Sequence, residues 1–525
     1  MKSRMKGWRF LLFLLVLLGF GVWFYTYQTT FLAIPYNDAM DYASIGRNIA
    51  RGQGITSAYM TPLGLRIHPY PQPNMWRAPL WPLILGGVQY LFPSTDGVIA
   101  WATGFFYLAG LVVFFLLAKE LFGIGVAWGS ALVYIFSPLN LHFSTSGMTE
   151  TIALFLLLFW FYLLALPKMR SPRGDYFIGA VGGLFYLARY NALLFAPLVA
   201  VYWWLKRREE GWHPVLRYGG SFLAIVAPWF VRNFILFGNP LFSLQKFEIP
   251  MFTSVHPNYT LYMIPELPNV LGFIRTYPKV LLRKILGGLQ MFGADFFNPD
   301  FTGVAVLLLV LALLSLLIPL AKRAKELFLL GVVCFLTQLA ALVVIHYIPR
   351  LFFIFLPFYI MYGLAVVNWV AEKVWGERKL AAGILILAVA GFCIWSNLPD
   401  WAEPNVYIKL ADQFAEPLAD LTQLLGKDEV VVSNDGHLVA WYSDRPAVKI
   451  PYHPDMLREM EEYAPITAIF ISHRITWNTP EMNVAWWEIF RDQQEKVLDY
   501  KLYRTYENGT AIYLKDAHPA ASDRP

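Results

Sequence analysis

The chain has 525 residues, 57% of them hydrophobic and only 15% charged, and its mean hydropathy is +0.47. Soluble proteins carry nearer a quarter charged residues, so this composition excludes an ordinary soluble enzyme and places most of the chain in lipid. The formal net charge of +6 falls largely in short loops between apolar runs, which marks membrane orientation and not nucleic-acid binding.

The N-terminus MKSRMKGWRF leads into LLFLLVLLGFGVWF, which ends in Trp23, Phe24, Tyr25 and Tyr27 and lacks a small-x-small cleavage site. It predicts an uncleaved signal-anchor helix. Directly after it comes YNDAMDYASIGRNIARGQG (36–54), which sets Asp38 and Asp41 just outside the apolar slab. Spanning runs follow the first, at 9–27, near 97–118, 123–138, 149–167, 176–190, 191–205, 217–236, 302–320, 326–346, 350–371 and 379–396, which predicts eleven transmembrane helices. The segment PLWPLILGGVQYLF (79–92) is short and begins with Pro79 and Pro82, so it is assigned to a re-entrant or interfacial helix. With that choice the basic loops at 1–6, 119–120, 168–175, 206–217, 321–325 and 372–379 all fall on one side. The positive-inside rule makes that side cytoplasmic, with the C-terminus outside.

Three outer regions result, at 28–96, 137–150 and 237–301. The third contains YPKVLLRKILGGLQMF, in which Lys279, Arg283 and Lys284 lie beside an apolar face, as in a helix lying among anionic head groups. Residues 1–397 therefore read as a membrane portion and 398–525 as a small soluble α/β domain. Strands are predicted at 429–435, 467–474, 497–506 and 510–516, helices at 411–426 and 454–464, and a disordered end at HPAASDRP. AWWEIF (485–490) is similar to the WWDYG signature of oligosaccharyltransferases, but Glu488 replaces the Asp and no Tyr-Gly follows. An amphipathic helix packed on the sheet fits its apolar spacing better. Cys334 and Cys393 lie within apolar runs and fit buried packing, and the sequence contains no Gly-rich phosphate loop, CxxC pair or HExxH.

Six segments in register resemble one family: NDAMDYASIGRNIARGQG, WRAPLWPLIL (76–85), SPLNLHFSTSGMTETIALFL (137–156), GLFYLARYNALLFAP (183–197), APWFVRNFILFGNPLF (227–242) and IPRLFFIFLPF (348–358). Together with VAWYSDRPAVKIP (439–451) they resemble the GT-C superfamily of glycosyltransferases, in the branch related to protein O-mannosyltransferases and lipid A aminoarabinose transferases. The resemblance implies a polytopic helical membrane enzyme that takes one sugar from a polyprenyl-phosphate carrier on the outer face of the plasma membrane. The family's first-loop aspartate maps onto Asp38 through the D-A-x-x-Y spacing Asp38, Ala39, Tyr42, and its second outer-loop acid maps onto Glu150. No acid follows Asp38 directly, so the Asp-Glu pair of the protein O-mannosyltransferases is not intact, which weighs against a protein acceptor over a glycan or lipid.

Within that reading Asp38 is the general base, a role that contributes roughly 10²–10⁴-fold. Asp41, Tyr42, Glu150 and His142 support it or contact substrate, and Arg77, Arg232, Lys246 and Arg350 are the candidate cations for the departing phosphate. A lipid phosphate leaves with less charge than a nucleotide diphosphate, so no cofactor is required and a divalent metal is allowed. Single displacement inverts the anomeric centre. Each residue has a plainer reading as well. Asp38-x-x-Asp41 is close to a capping box, with Gly52 ending the helix, and Glu150 suits the first turn of a helix. Arg189 and Arg232 fit side chains that snorkel to the interface. His68 and His142 fit polar loop residues, and Lys246 with Glu248 fits an exposed pair. The competing class is a transporter or lipid-linked sugar flippase, which calls for polar groups at mid-membrane depth and usually an internal repeat. A third alternative is an enzyme of the same fold that transfers or polymerises whole oligosaccharides.

Overall fold

A computed structural model describes residues 4–298, 306–376, 378–396, 412–475 and 482–519. Helix α1 (Arg4–Thr30) is 27 residues long, about 40 Å at 1.5 Å per residue and ample for a hydrocarbon layer of about 30 Å. Its outward side chains, Phe10, Phe13, Leu17 and Tyr25 among them, are exposed, whereas Leu15 and Trp23 are buried. Trp23 fits because Gly104 faces it: a Cβ there would lie 2.4 Å from the indole. The indole Nε1 donates to the Ser144 carbonyl at 3.2 Å.

The apolar helices that follow are α4 (Asp96–Phe122), α5 (Ile124–Ile135), α6 (Pro138–Thr145), α7 (Glu150–Ala165), α8 (Pro172–Ala188), α9 (Ala192–Arg207), α10 (His213–Phe237), α12 (Val306–Leu314), α13 (Lys322–Ile345), α14 (Leu356–Trp375) and α15 (Lys379–Ser396). Each predicted span therefore coincides with a helix, although the span predicted at 302–320 begins outside the described residues. Among the described residues only six helices are long and apolar enough to cross a membrane, or seven if α5 and α6 count as one span. The shortfall has a local cause. The pair α5 and α6 bends by 59° where Ser137 caps Asn140 N and Pro138 opens the next helix. α7 and α9 are both cut to 16 residues. Cys334 and Cys393 are both buried. The chain is a multi-pass membrane protein.

The segment 79–92 forms α3 (Leu80–Leu91), which packs on α2 (Asn37–Ala50). Two glycines permit the close approach: a Cβ on Gly46 would meet Gln89 at 2.7 Å, and one on Gly86 would meet Ile49 at 2.7 Å. Helix α11 (Pro278–Asp295) occupies the predicted amphipathic stretch and exposes Leu282, Leu286 and Leu289.

The C-terminal portion is built on a sheet of seven strands in the order β1-β3-β2-β4-β7-β6-β5. They are β1 (Tyr59–Met60), β2 (Val430–Ser433), β3 (Ala447–Lys449), β4 (Ile466–Ile471), β5 (Lys496–Val497), β6 (Tyr500–Thr505) and β7 (Ala511–Lys515). The first four in that order run parallel and the rest pair antiparallel. Strand β1 comes from the segment between α2 and α3 and pairs with β3 in the register Tyr59↔Ala447 and Met60↔Val448. The membrane portion thus contributes a strand to a sheet that the tail alone was expected to build. The predicted strand 497–506 breaks at Leu498, whose φ is 51°, leaving β5 and β6. α16 (Ala415–Leu424) lies within the predicted helix 411–426, and 454–464 carries only short turns, Pro454–Met456 and Leu457–Met460. AWWEIF lies in α17 (Val484–Asp492), where Trp486 is fully buried and donates to the Pro451 carbonyl at 2.8 Å. The expected boundary at 397 and 398 and the last six residues lie outside the described residues.

Candidate active site

Helix α2 begins after Tyr36, whose side chain makes no capping bond. Asp38 and Asp41 lie inside the helix one turn apart and do not form a capping box. Their carboxylates instead turn toward one guanidinium. Arg77 Nη2 donates to Asp38 Oδ1 at 2.8 Å and Arg77 Nε donates to Asp41 Oδ2 at 2.6 Å. Gly52, with φ of 77°, follows the last turn, and its N–H donates to the Ile49 carbonyl.

Arg77 is held from three directions. Asn74 Oδ1 accepts from the Arg77 and Trp76 N–H groups at 2.9 and 3.1 Å, and Tyr190 donates to the Arg77 carbonyl at 3.0 Å. The guanidinium lies 5.1 Å from the ring centroids of both Tyr42 and Trp76. Arg232 acts one layer back: it donates to the Asn74 carbonyl at 2.8 Å and lies over Trp229.

On the opposite side of Asp38, Arg350 donates to Oδ2 and leaves its Nε 3.8 Å from Glu150 Oε1. Glu150, the first residue of α7, is fully buried and accepts from Arg189 at 2.7 Å. The result is a chain of alternating charge, Asp41–Arg77–Asp38–Arg350–Glu150–Arg189, drawn from five separate segments. Arg350 is held by a relay in which Asn191 donates to Gln338 at 2.8 Å and Gln338 donates to the Leu351 carbonyl at 2.7 Å. Tyr36 packs against Arg350 and hydrogen-bonds His142 Nε2 at 2.6 Å, so His142 supports the site from behind.

The chain lies along a cavity of about 340 Å³, lined by Asp38, Arg77, Arg189, Asn191, His346 and Arg350 with Tyr42 beside them. Among the described residues, Arg189 Nη1, Arg350 Nε and Glu150 Oε2 are buried without a hydrogen-bond partner. Buried donors of this kind are rare in native proteins and suit an anionic ligand. Burial would raise the Asp38 carboxyl, but Arg77 and Arg350 outweigh it and hold it well below the usual carboxylate range. Burial wins at Asp41, whose carboxyl is pushed up against the pull of Arg77. Environments that push two carboxylates apart are how sites divide acid and base roles.

The structure therefore brings Asp38, Asp41, Tyr42, Arg77, Glu150 and Arg350 together. It does not bring Lys246, which is exposed and lies over Phe242 and Phe247. Its supposed partner Glu248 is buried and accepts from Tyr262 at 2.9 Å. Arg189 is a member of the charge chain and not a snorkelling residue. Its signal was a lone arginine interrupting the apolar run GLFYLARYNALLF. Among the described residues no group of three or more His, Cys, Asp or Glu side chains could hold a metal. The oxygens of Asp38 are shared between two guanidinium groups.

No protein-family model matches the chain, and neither does any curated protein. Solved structures do match. ArnT from Cupriavidus metallidurans in the apo state aligns over 97% of this chain and 98% of its own, with 13% identity and a TM-score of 0.58. The fold is GT-C. ArnT bound to undecaprenyl phosphate gives a TM-score of 0.56 over the same shares at 13% identity. The Archaeoglobus fulgidus oligosaccharyltransferase, complexed with zinc and sulfate, aligns over 96% of this chain and 73% of its own, at 12% identity and a TM-score of 0.57.

Proposed function

We propose that this protein is a membrane glycosyltransferase that moves a monosaccharide from a polyprenyl-phosphate carrier to a glycan, lipid or protein acceptor, inverting the anomeric centre. The observation that carries this reading is the alternating charge chain on the cavity, with Asp38 between Arg77 and Arg350. The GT-C fold supports it, since ArnT was solved with undecaprenyl phosphate and AglB, the archaeal oligosaccharyltransferase, with dolichol phosphate. By the positive-inside rule the basic loops at 206–217 and 321–325 face the cytoplasm, which puts the site on the extracytoplasmic side of the plasma membrane.

The donor phosphate enters beside Arg350 and Arg189, two cavity-lining guanidinium groups that each keep a buried donor without a hydrogen-bond partner. The acceptor oxygen or nitrogen attacks the anomeric carbon and gives its proton to the Asp38 carboxylate. The bond from that carbon to the phosphate oxygen breaks, and polyprenyl phosphate leaves with an added negative charge held by the arginines. An Asp38 gripped by two guanidinium groups is a weak base. As phosphate draws Arg350 away, the carboxylate becomes more basic in the same step that positions the donor. Asp41 stays bound to Arg77 and keeps the helix turn in register.

The test is Asp38→Asn, which keeps size and polarity but removes the base. We expect the variant to insert and fold, and to lose sugar transfer from glycosyl undecaprenyl phosphate by roughly 10²-fold or more. Transfer at the wild-type rate would overturn the assignment of Asp38.

A further inference from the structure

The carboxyl ends of parallel strands are where open α/β sheets bind ligands, and here those ends lie against the helix that carries Asp38. After β2 the chain runs Asn434-Asp435-Gly436-His437, and the short turn Gly436–Leu438 packs on α2. The turn is braced from β4. Ser472 and Arg474 both donate to the Asp435 carboxylate, the latter at 3.1 Å. Asn434 donates to Ser472 Oγ at 2.8 Å and accepts from its N–H at 2.9 Å. Gly436 is required, because a Cβ there would lie 2.8 Å from the Tyr59 ring.

This scaffold holds His437 in the turn that packs on α2. His437 stacks on Tyr59 with ring centroids 3.5 Å apart, so β1 supplies its backing. It feels the charges of both Asp38 and Arg77. Burial first, and Arg77 second, push the imidazole down to about 3, so the ring is neutral. Among the described residues its buried Nε2 has no hydrogen-bond partner. Nearby, Lys449 at the end of β3 lies 6.0 Å from the ring centroid of Tyr259, which lines the cavity.

We infer that His437 of the C-terminal sheet is an acceptor-binding residue, whose Nε2 hydrogen-bonds the incoming hydroxyl or amine and holds it against Asp38. This rests on the proposed transferase reading. It adds that the soluble portion completes the site: the donor phosphate lies with Arg189 and Arg350 on the cavity side, and the acceptor lies on the sheet side. A neutral nitrogen suits this task, because it can pair with a hydroxyl or amine without competing for the phosphate. A conserved-shape control is available, since Phe at 437 keeps the stack on Tyr59 and removes both nitrogens.

The experiment uses the full-length protein in nanodiscs with a panel of undecaprenyl phosphate-linked hexoses and pentoses as donors. A total lipid and glycan extract of the producing cells serves as acceptor. Sugar transferred to the extract and sugar lost to water are measured together. We expect His437→Phe to lower the ratio of transfer to hydrolysis by about 10- to 100-fold, with undecaprenyl phosphate binding unchanged. His437→Gln, which restores a polar atom, should recover part of that loss. An unchanged ratio, a parallel fall of transfer and hydrolysis, or a His437→Gln ratio no better than that of His437→Phe would each overturn the inference. Absence of both reactions in the wild type with every donor would overturn the transferase reading, and this inference with it.

Discussion

Asp38→Asn should bind the lipid phosphate more tightly while losing transfer. In the resting site Arg350 is committed to Asp38, so an incoming phosphate must compete with a carboxylate for the same guanidinium. Both side chains are about a quarter exposed, at 28% and 26%. Two unit charges about 4 Å apart interact by about 4 kcal/mol at an effective dielectric of 20. Desolvation already paid in the pair cancels part of that, which leaves about 1–2 kcal/mol for the competition. At about 1.4 kcal/mol per tenfold, Asp38→Asn should tighten undecaprenyl phosphate binding by about 5- to 30-fold. The assay is equilibrium binding of labelled undecaprenyl phosphate to protein in nanodiscs at fixed salt. Arg350→Ala should weaken binding, and the double variant should lose the gain, because the cation being competed for is gone. Unchanged or weaker binding by Asp38→Asn would refute the competition and the coupling of donor entry to basicity.

The pH dependence has a definite sign. Arg77 and Arg350 depress the Asp38 carboxyl below its unfolded value of about 3.9, so the stability it contributes is present above that pH and is lost only as pH falls through the lower folded value. The acid limb of kcat/KM should accordingly lie below the usual carboxylate range, and Arg350→Ala should move it upward in a pH–rate profile. Glu150→Gln leaves Arg189 without its buried partner, which should cost about 3–5 kcal/mol; thermal unfolding measures it, and Glu150→Gln with Arg189→Met should recover part. Arg47 joins α2 to the tail, donating to the Ala440 and Trp441 carbonyls at 2.6 and 2.7 Å and pairing with Asp444 at 3.0 Å. Arg47→Ala should cost about 1.5–3 kcal/mol and speed proteolysis of the C-terminal portion; an unchanged cleavage rate would count against that role.

The legible part of the site consists of polar residues at the ends of apolar runs. Asp38 follows the first span, Glu150 starts another, and Arg77 and Arg350 stand out as cations on the side where the positive-inside rule disfavours them. Arg189 carried a similar signal but shared it with every arginine that snorkels, and Arg232 and Lys246 carried it without lining the cavity. Side-chain direction separates these cases, and direction depends on which helices pack together. The span count followed a similar course. Hydropathy finds apolar runs but does not register where a cap, a proline or a polar turn cuts a helix short, as at Pro138 and between α8 and α9.

By itself the sequence determined that this is a polytopic helical membrane protein with an α/β tail, because the hydrophobic runs and the alternating strands are local patterns along the chain. It also marked Asp38 as the first acid after the first apolar helix. Tertiary structure alone decided that Asp38 is shared between two arginines 39 and 312 residues away. It alone decided that Tyr59 joins a strand of the distant sheet and that the turn carrying His437 packs on α2. These are contacts between segments whose separation in sequence leaves no periodicity to read. Only burial of the helix faces against one another brings them together, and only then do Coulomb forces over a few ångströms set how a carboxylate behaves.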